Sequence, residues 1–122
     1  MPTDDIELGP TPASVPRGRN YVRERCLAAG VPGKAADACL LASEVLTNAV
    51  KHAGTPMTMT VTSPERNAIR VAVHDGTAEQ PIRRTNRRGV SRNGRGILLL
   101  DLIATRWGVT QERTGKTVWF EV

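Results

Sequence analysis

The chain is short of aromatic residues, cysteine and histidine, and each shortage closes off a class of function. Of its 122 residues only Tyr21, Trp107, Trp119 and Phe120 are aromatic, 3% of the total. None is interleaved with the arginines of residues 83–95 as base stacking on nucleic acid requires, and no zinc-finger or RNP-type motif is present. Nucleic-acid binding is therefore disfavoured. The 2 cysteines, Cys26 and Cys39, sit in helix-like segments without metal-type spacing and read as buried, reduced thiols. The 2 histidines, His52 and His74, have no serine or cysteine partner arranged for nucleophilic work, and two isolated histidines make a poor metal site. No apolar run approaches the roughly 20 residues of a membrane span, and the N-terminus lacks a basic region followed by an apolar one. A cytoplasmic protein, with no signal peptide and no membrane contact, is the expectation.

What is present points to one domain over residues 1–122. Hydrophobic residues make up 39% of the chain, mostly Val, Leu, Ala and Ile, which suits a sheet covered by helices. The net charge of +5 is uneven: Arg83, Arg84, Arg87, Arg88, Arg92 and Arg95 crowd into one short stretch. Such a cluster suggests phosphate, whether on a nucleotide, a nucleic acid or an acidic partner surface.

Residues 1–14 form a leader in which 6–8 could be a short edge strand. Helical spacing follows over 15–29, with Pro16 tolerable in the first turn and Gly30 and Gly33 as the break. A second helix is predicted from about 34 to 53, stopped by Gly54 and Pro56. Residues 58–62 and 68–74 alternate as strands around a turn at 64–67. The stretch 76–93 is long and polar, as a functional or mobile loop would be. Residues 97–104 are apolar nearly all round and should be a buried helix, followed by a hairpin of 106–111 and 116–122. Strands joined by tight turns, with helices between, predict an α+β two-layer sandwich with a mixed, mostly antiparallel sheet covered on one face.

Glu44, Asn48 and His52 fall four residues apart. At about 100° per residue they form one stripe of the second helix, in the sector of Leu41 and Val45. A carboxylate, an amide and an imidazole are thus aimed at the edge of a core, where unpaired polar groups are costly. Either they satisfy one another or they address a ligand. Gly94-Arg95-Gly96 ends the arginine-rich loop just before an apolar helix, where backbone N–H groups and the helix dipole favour an anion. Asp75 closes a buried-type strand ahead of Gly76; such a carboxylate forms turns, and could equally accept a hydrogen bond from an exocyclic amine. Thr117 opens the last strand and by itself indicates nothing.

Taken in order, these pieces resemble one superfamily. Ser43-Glu-Val-Leu-Thr-Asn-Ala-Val-Lys-His-Ala53 looks like the N-box of the gyrase, chaperone, histidine-kinase and MutL (GHKL) ATPases. Val73-His-Asp75-Gly76 falls where the G1 box should be, and Gly94-Arg-Gly96-Ile-Leu-Leu-Leu100 is similar to the G2 box. Trp107-Gly108-Val and Gly115-Lys-Thr-Val-Trp119 resemble the last strands of the stand-alone branch, the RsbW-like anti-sigma-factor serine kinases and their short actinobacterial relatives. The resemblance implies a Bergerat-type fold binding ATP or ADP with Mg2+. It would make Asn48 the Mg2+ ligand and Glu44 the general base. Asp75 would hold the adenine amino group, with Thr117 beside it. Gly94 and Gly96, flanked by Arg92 and Arg95, would contact phosphate under a lid formed by 77–93. Implied partners are a sigma factor, an anti-sigma antagonist, or both, with a homodimer left open. The implied activity is serine/threonine phosphorylation of the antagonist; a non-catalytic, nucleotide-dependent binding module is the alternative, and a nucleic-acid binder using the arginines ranks below both. One departure stands out: Asp75 is followed by Gly76, Thr77 and Ala78, so the glycine that lets the chain pass close to adenine is out of register. Weak nucleotide affinity or a purine held differently would follow, and kinase activity comes into question.

Overall fold

The computed structural model describes residues 5–77 and 95–122, with 95–97 described in their backbone only. In chain order the elements are β1 (Asp5–Leu8), α1 (Ser14–Ala28), a single 3-10 turn (Pro32–Lys34), α2 (Ala35–His52), β2 (Met57–Thr62), β3 (Arg70–Asp75), α3 (Arg95–Ile103), β4 (Arg106–Glu112) and β5 (Gly115–Glu121). The sheet has five strands in the order β1-β2-β3-β5-β4. Every pairing among them is antiparallel. The α+β sandwich is therefore as expected, and the segment at 6–8 is an edge strand. The proposed lid lies outside the described residues apart from Thr77.

Period-two alternation decides which face of the sheet is covered. Met57, Met59 and Val61 of β2, Val71 and Val73 of β3, and Val118 and Phe120 of β5 are buried. They meet Val22 and Cys26 of α1, Leu41, Val45 and Leu46 of α2, and Leu100 of α3 in one core cluster. The opposite face carries Thr58, Thr60, Ala72, His74, Thr117 and Trp119, all partly exposed. α1 ends where Gly30 takes φ +76. There the Val31 N–H bonds the Cys26 carbonyl at 2.9 Å and the Gly30 N–H bonds Leu27 at 3.1 Å, closing the helix in a Schellman arrangement.

α3 departs from expectation in two ways. It begins at Arg95, so Gly96 lies inside its first turn, where a glycine costs less than in a helix interior. Its apolar residues are not all buried: Leu100 is fully covered, whereas Leu98 is 56% and Leu102 71% exposed. Four-residue spacing puts Leu98 and Leu102 on one exposed stripe, so an all-apolar sequence overstated the burial.

On the open face, Glu121 is clamped between two arginines. Its carboxylate accepts from Arg70 Nη1 at 2.8 Å, and from Arg106 Nη2 at 2.7 Å and Nε at 3.1 Å. The Arg70 guanidinium also lies 4.1 Å from the ring centroid of Trp119. The clamp ties β3, β5 and β4 together. Hydrogen bonds from Arg106, and less strongly from Arg70, hold the Glu121 carboxyl below its ordinary range against the opposing effect of desolvation.

Two outcomes follow from this packing. Gly115 has φ +143, and an added Cβ would stand 1.9 Å from the Asp75 carbonyl oxygen. Gly115→Ala should therefore cost about 3 kcal/mol or more in urea unfolding, since backbone strain and overpacking add there. The Glu121 carboxyl protonates more readily in the unfolded chain than in the folded one, so its contribution is full above the unfolded value near about 4.3 and is lost as pH falls through the lower folded value. Glu121→Gln should lower stability at neutral pH by about 1 kcal/mol. It should also flatten the decline of the melting temperature below about pH 4.5.

Candidate functional site

α2, β3 and β5 converge on one cleft. It is lined by Val45, Asn48 and Ala49 from the helix, Val73 and Asp75 from β3, and Lys116 and Val118 from β5. Residues three and four apart share a helical face, and residues two apart share a strand face, so the set follows directly from the two periods. The cleft is narrow, with a volume of about 10 Å³, close to the room of one water.

Asp75 is the floor of this cleft and is only 2% exposed. Its parity on β3 matches Val71 and Val73, which points the carboxylate inward rather than to solvent. Oδ1 accepts a hydrogen bond from the Thr77 N–H at 2.9 Å, so the turn-forming role read from the sequence is realised. The adjacent Gly76 N–H donates to Thr55 Oγ1 at 2.8 Å, which ties the chain beyond β3 to the α2–β2 connection. The second carboxylate oxygen, Oδ2, lies 3.3 Å from Lys116 Nζ. Thr77 Oγ1, two residues on, is buried and has no hydrogen-bond partner among the described residues.

Asn48 reaches the cleft as its place in the stripe requires. Glu44, one turn earlier, is half-buried and is not among the lining residues. His52 is the last residue of α2 and is exposed, so the stripe emerges from the core at its C-terminal end instead of staying against it. Arg95 and Gly96 lie in the first turn of α3. Arg92 and Gly94 fall outside the described residues.

The expected position of Thr117 beside Asp75 is corrected by the register. β3 and β5 pair with Asp75 opposite Lys116 and His74 opposite Thr117. Directly paired residues share a face, so Thr117 is on the open side of the sheet. There its hydroxyl is 2.9 Å from His74 Nδ1 and donates to Glu112 Oε1 at 3.3 Å, with Glu112 Oε1 also 3.2 Å from the His74 ring. Lys116 is the cleft residue that was missed. The signal was available: Val118, Phe120 and Val122 set the inward parity of β5, which makes 116 inward and 117 outward.

The sequence matches the histidine kinase-like ATPase domain over residues 8–122. No curated protein matches it. In three dimensions it is similar to a crystal structure of the RsbU and RsbW domains of Rv1364c from Mycobacterium tuberculosis, with a TM-score of 0.69 at 18% identity. That superposition covers 99% of this chain and 32% of the mycobacterial one, so the chain spans about a third of that protein's length. At this identity the likeness speaks for the fold, and it agrees with the two-layer architecture. The family match runs from the end of β1 through β5 and takes in α2, Asp75, Gly94, Gly96 and the strand bearing Lys116. The chain belongs to the histidine kinase-like ATPase domain family.

Proposed function

We propose that the chain binds ATP or ADP with Mg2+ in the cleft between α2 and the β3–β5 pair. It would serve as a cytoplasmic regulatory protein of the anti-sigma-factor serine/threonine kinase type, in the stand-alone RsbW-like branch. The observation that carries this reading is that Asn48 and Asp75, distant in sequence and on different elements, line one cleft. Family membership supports nucleotide as the ligand. No described helix is long and apolar enough to cross a membrane.

The donor set suits such a ligand. A buried carboxylate at a strand end can accept from an exocyclic amine, and the buried Thr77 hydroxyl beside it has hydrogen-bonding capacity to spare. Asn48 offers a neutral amide oxygen, which suits a hard cation already balanced by phosphates. In this reading Asn48 would hold Mg2+ together with the nucleotide. Bound nucleotide supplies the phosphoryl group; the chain's residues do the rest. Asp75 would hold the base and Asn48 the cation; Arg95 and Gly96, in the first turn of α3, would receive phosphate oxygens, with Arg92 and Gly94 preceding them in the sequence. Glu44 takes the proton of the attacking hydroxyl. The protein partner in this reading is a sigma factor or the antagonist that carries the acceptor serine.

The glycine directly after Asp75, out of register with the family pattern, favours a second reading: a nucleotide-dependent binding module that regulates a partner without phosphoryl transfer. The two readings share the ligand and differ only in Glu44.

Calorimetry with ADP and Mg2+ tests the ligand. Asn48→Ala should weaken Mg2+-dependent binding about 10–100-fold in a protein that thermal melting shows to be folded. An intact protein that shows neither heat nor a thermal shift at millimolar nucleotide defeats the proposal. Transfer from labelled ATP to a candidate antagonist separates the two readings. Under the kinase reading Glu44→Ala should slow it about 10²–10⁴-fold. Binding without transfer in the wild type selects the module instead.

A further inference from the structure

We propose that Lys116 is a tethered occupant of the base pocket: its ammonium sits on Asp75 where a purine amine would bind, and must leave before the base is held. The inference rests on the nucleotide reading above and concerns the same cleft.

Four observations carry it. Lys116 Nζ is 3.3 Å from Asp75 Oδ2, and the other oxygen of that carboxylate already accepts from the Thr77 N–H. The carboxylate is therefore engaged on both oxygens. The side chain of Asp75 is 2% exposed and that of Lys116 23%, so the pair is covered on the acid side and open on the amine side. With the Lys116 ammonium on Asp75, the free volume beside the carboxylate is only about 10 Å³, close to one water. Among the lining residues Lys116 has the one long, flexible stem; Val45, Val73 and Val118 are β-branched and stiff, and Ala49, Asn48 and Asp75 are short.

The backbone on the strand side of the cleft is closely packed. Gly115 brings the start of β5 so close to the end of β3 that not even a methyl group fits between them. Strand pairing continues from there through Glu121. The Lys116 side chain, 23% exposed, has a route to solvent along its open edge.

The energetics then favour the closed form. A carboxylate binds an ammonium more strongly than a neutral amine, because a charge-assisted hydrogen bond is roughly twice as strong as one with a neutral donor. The tether also keeps the ammonium at high effective concentration. A base arriving at Asp75 must displace this internal competitor, which lowers its apparent affinity by the fraction of molecules in which the pocket is open. Out-of-register Gly76 is thus not the sole sequence feature that weakens the base site. Lys116 is an affinity-setting residue that acts on the free state.

The test compares the wild type with Lys116→Ala and Lys116→Ser, titrating ADP with Mg2+ and, separately, adenosine. Removal of the competitor should tighten both ligands about tenfold. Adenosine has no phosphate, so its gain assigns the effect to the base. Equal or weaker binding in the folded variants overturns the inference while leaving the nucleotide reading standing. Absence of binding in the wild type and in both variants, all shown folded by thermal melting, removes the nucleotide reading and this inference with it. If the uncovered Asp75 prevents the variants from folding, the wild type still decides. In 15N-lysine-labelled protein the Lys116 ammonium signal should lose its protected, Asp75-bound character as ADP saturates. A signal unchanged at saturation shows that the amine never leaves, and overturns the inference.

Discussion

The cleft depends on the register between β3 and β5. In that pairing Asp75 lies opposite Lys116 at the end where Gly115 lets the two backbones nearly touch. A shift of one residue would turn the acid's partner outward and bring Thr117 in. What holds the register is distributed. Val118 and Phe120 must stay in the core, and on the other face Glu121 must stay between Arg70 and Arg106. Apolar burial specifies the inward set, and the ionic clamp specifies the outward set. Both demand the same alignment, which is the kind of agreement between levels that gives a fold one answer.

A buried carboxylate is costly unless its oxygens are occupied. Asp75 meets this condition with a turn N–H on one oxygen and an ammonium beside the other. The feature that suits the residue to holding a ligand's amine also requires a stand-in when no ligand is there. The free protein uses its own lysine. Neighbouring Thr77 hydroxyl has no such stand-in among the described residues. The two groups show the two ways in which a polar pocket can wait: satisfied internally, or left with unused capacity.

Much of the architecture was legible because it rests on periodicity. Both long helices, the edge strand, the hairpins and the α+β arrangement follow from spacing and from glycine and proline stops. Asn48 was legible for the same reason, since a 3.6-residue period fixes its direction relative to Val45. The errors arose where a local pattern depends on a distant partner. Residues 97–104 read as buried because they are apolar, but a nine-residue helix packed on one side leaves Leu98 and Leu102 exposed. His52 was placed with Asn48 by spacing, yet the helix reaches solvent at that turn. The ion pair of Asp75 with Lys116 joins residues about forty positions apart through a strand register, and spacing within one element does not report it.

Thr117 and Lys116 are adjacent in the chain and separated by the full thickness of the sheet. Lys116 belongs to the pocket. Thr117 belongs to a small hydrogen-bonded group with His74 and Glu112 that faces the other way. Text comparison treats such neighbours as interchangeable to within a one-letter gap, and a threonine near a glycine is easily aligned with the wrong column. On a strand that small slip changes the compartment a residue belongs to, not merely its position. Relatives of this chain should therefore be aligned here by the parity of their apolar residues rather than by the identity of the polar one.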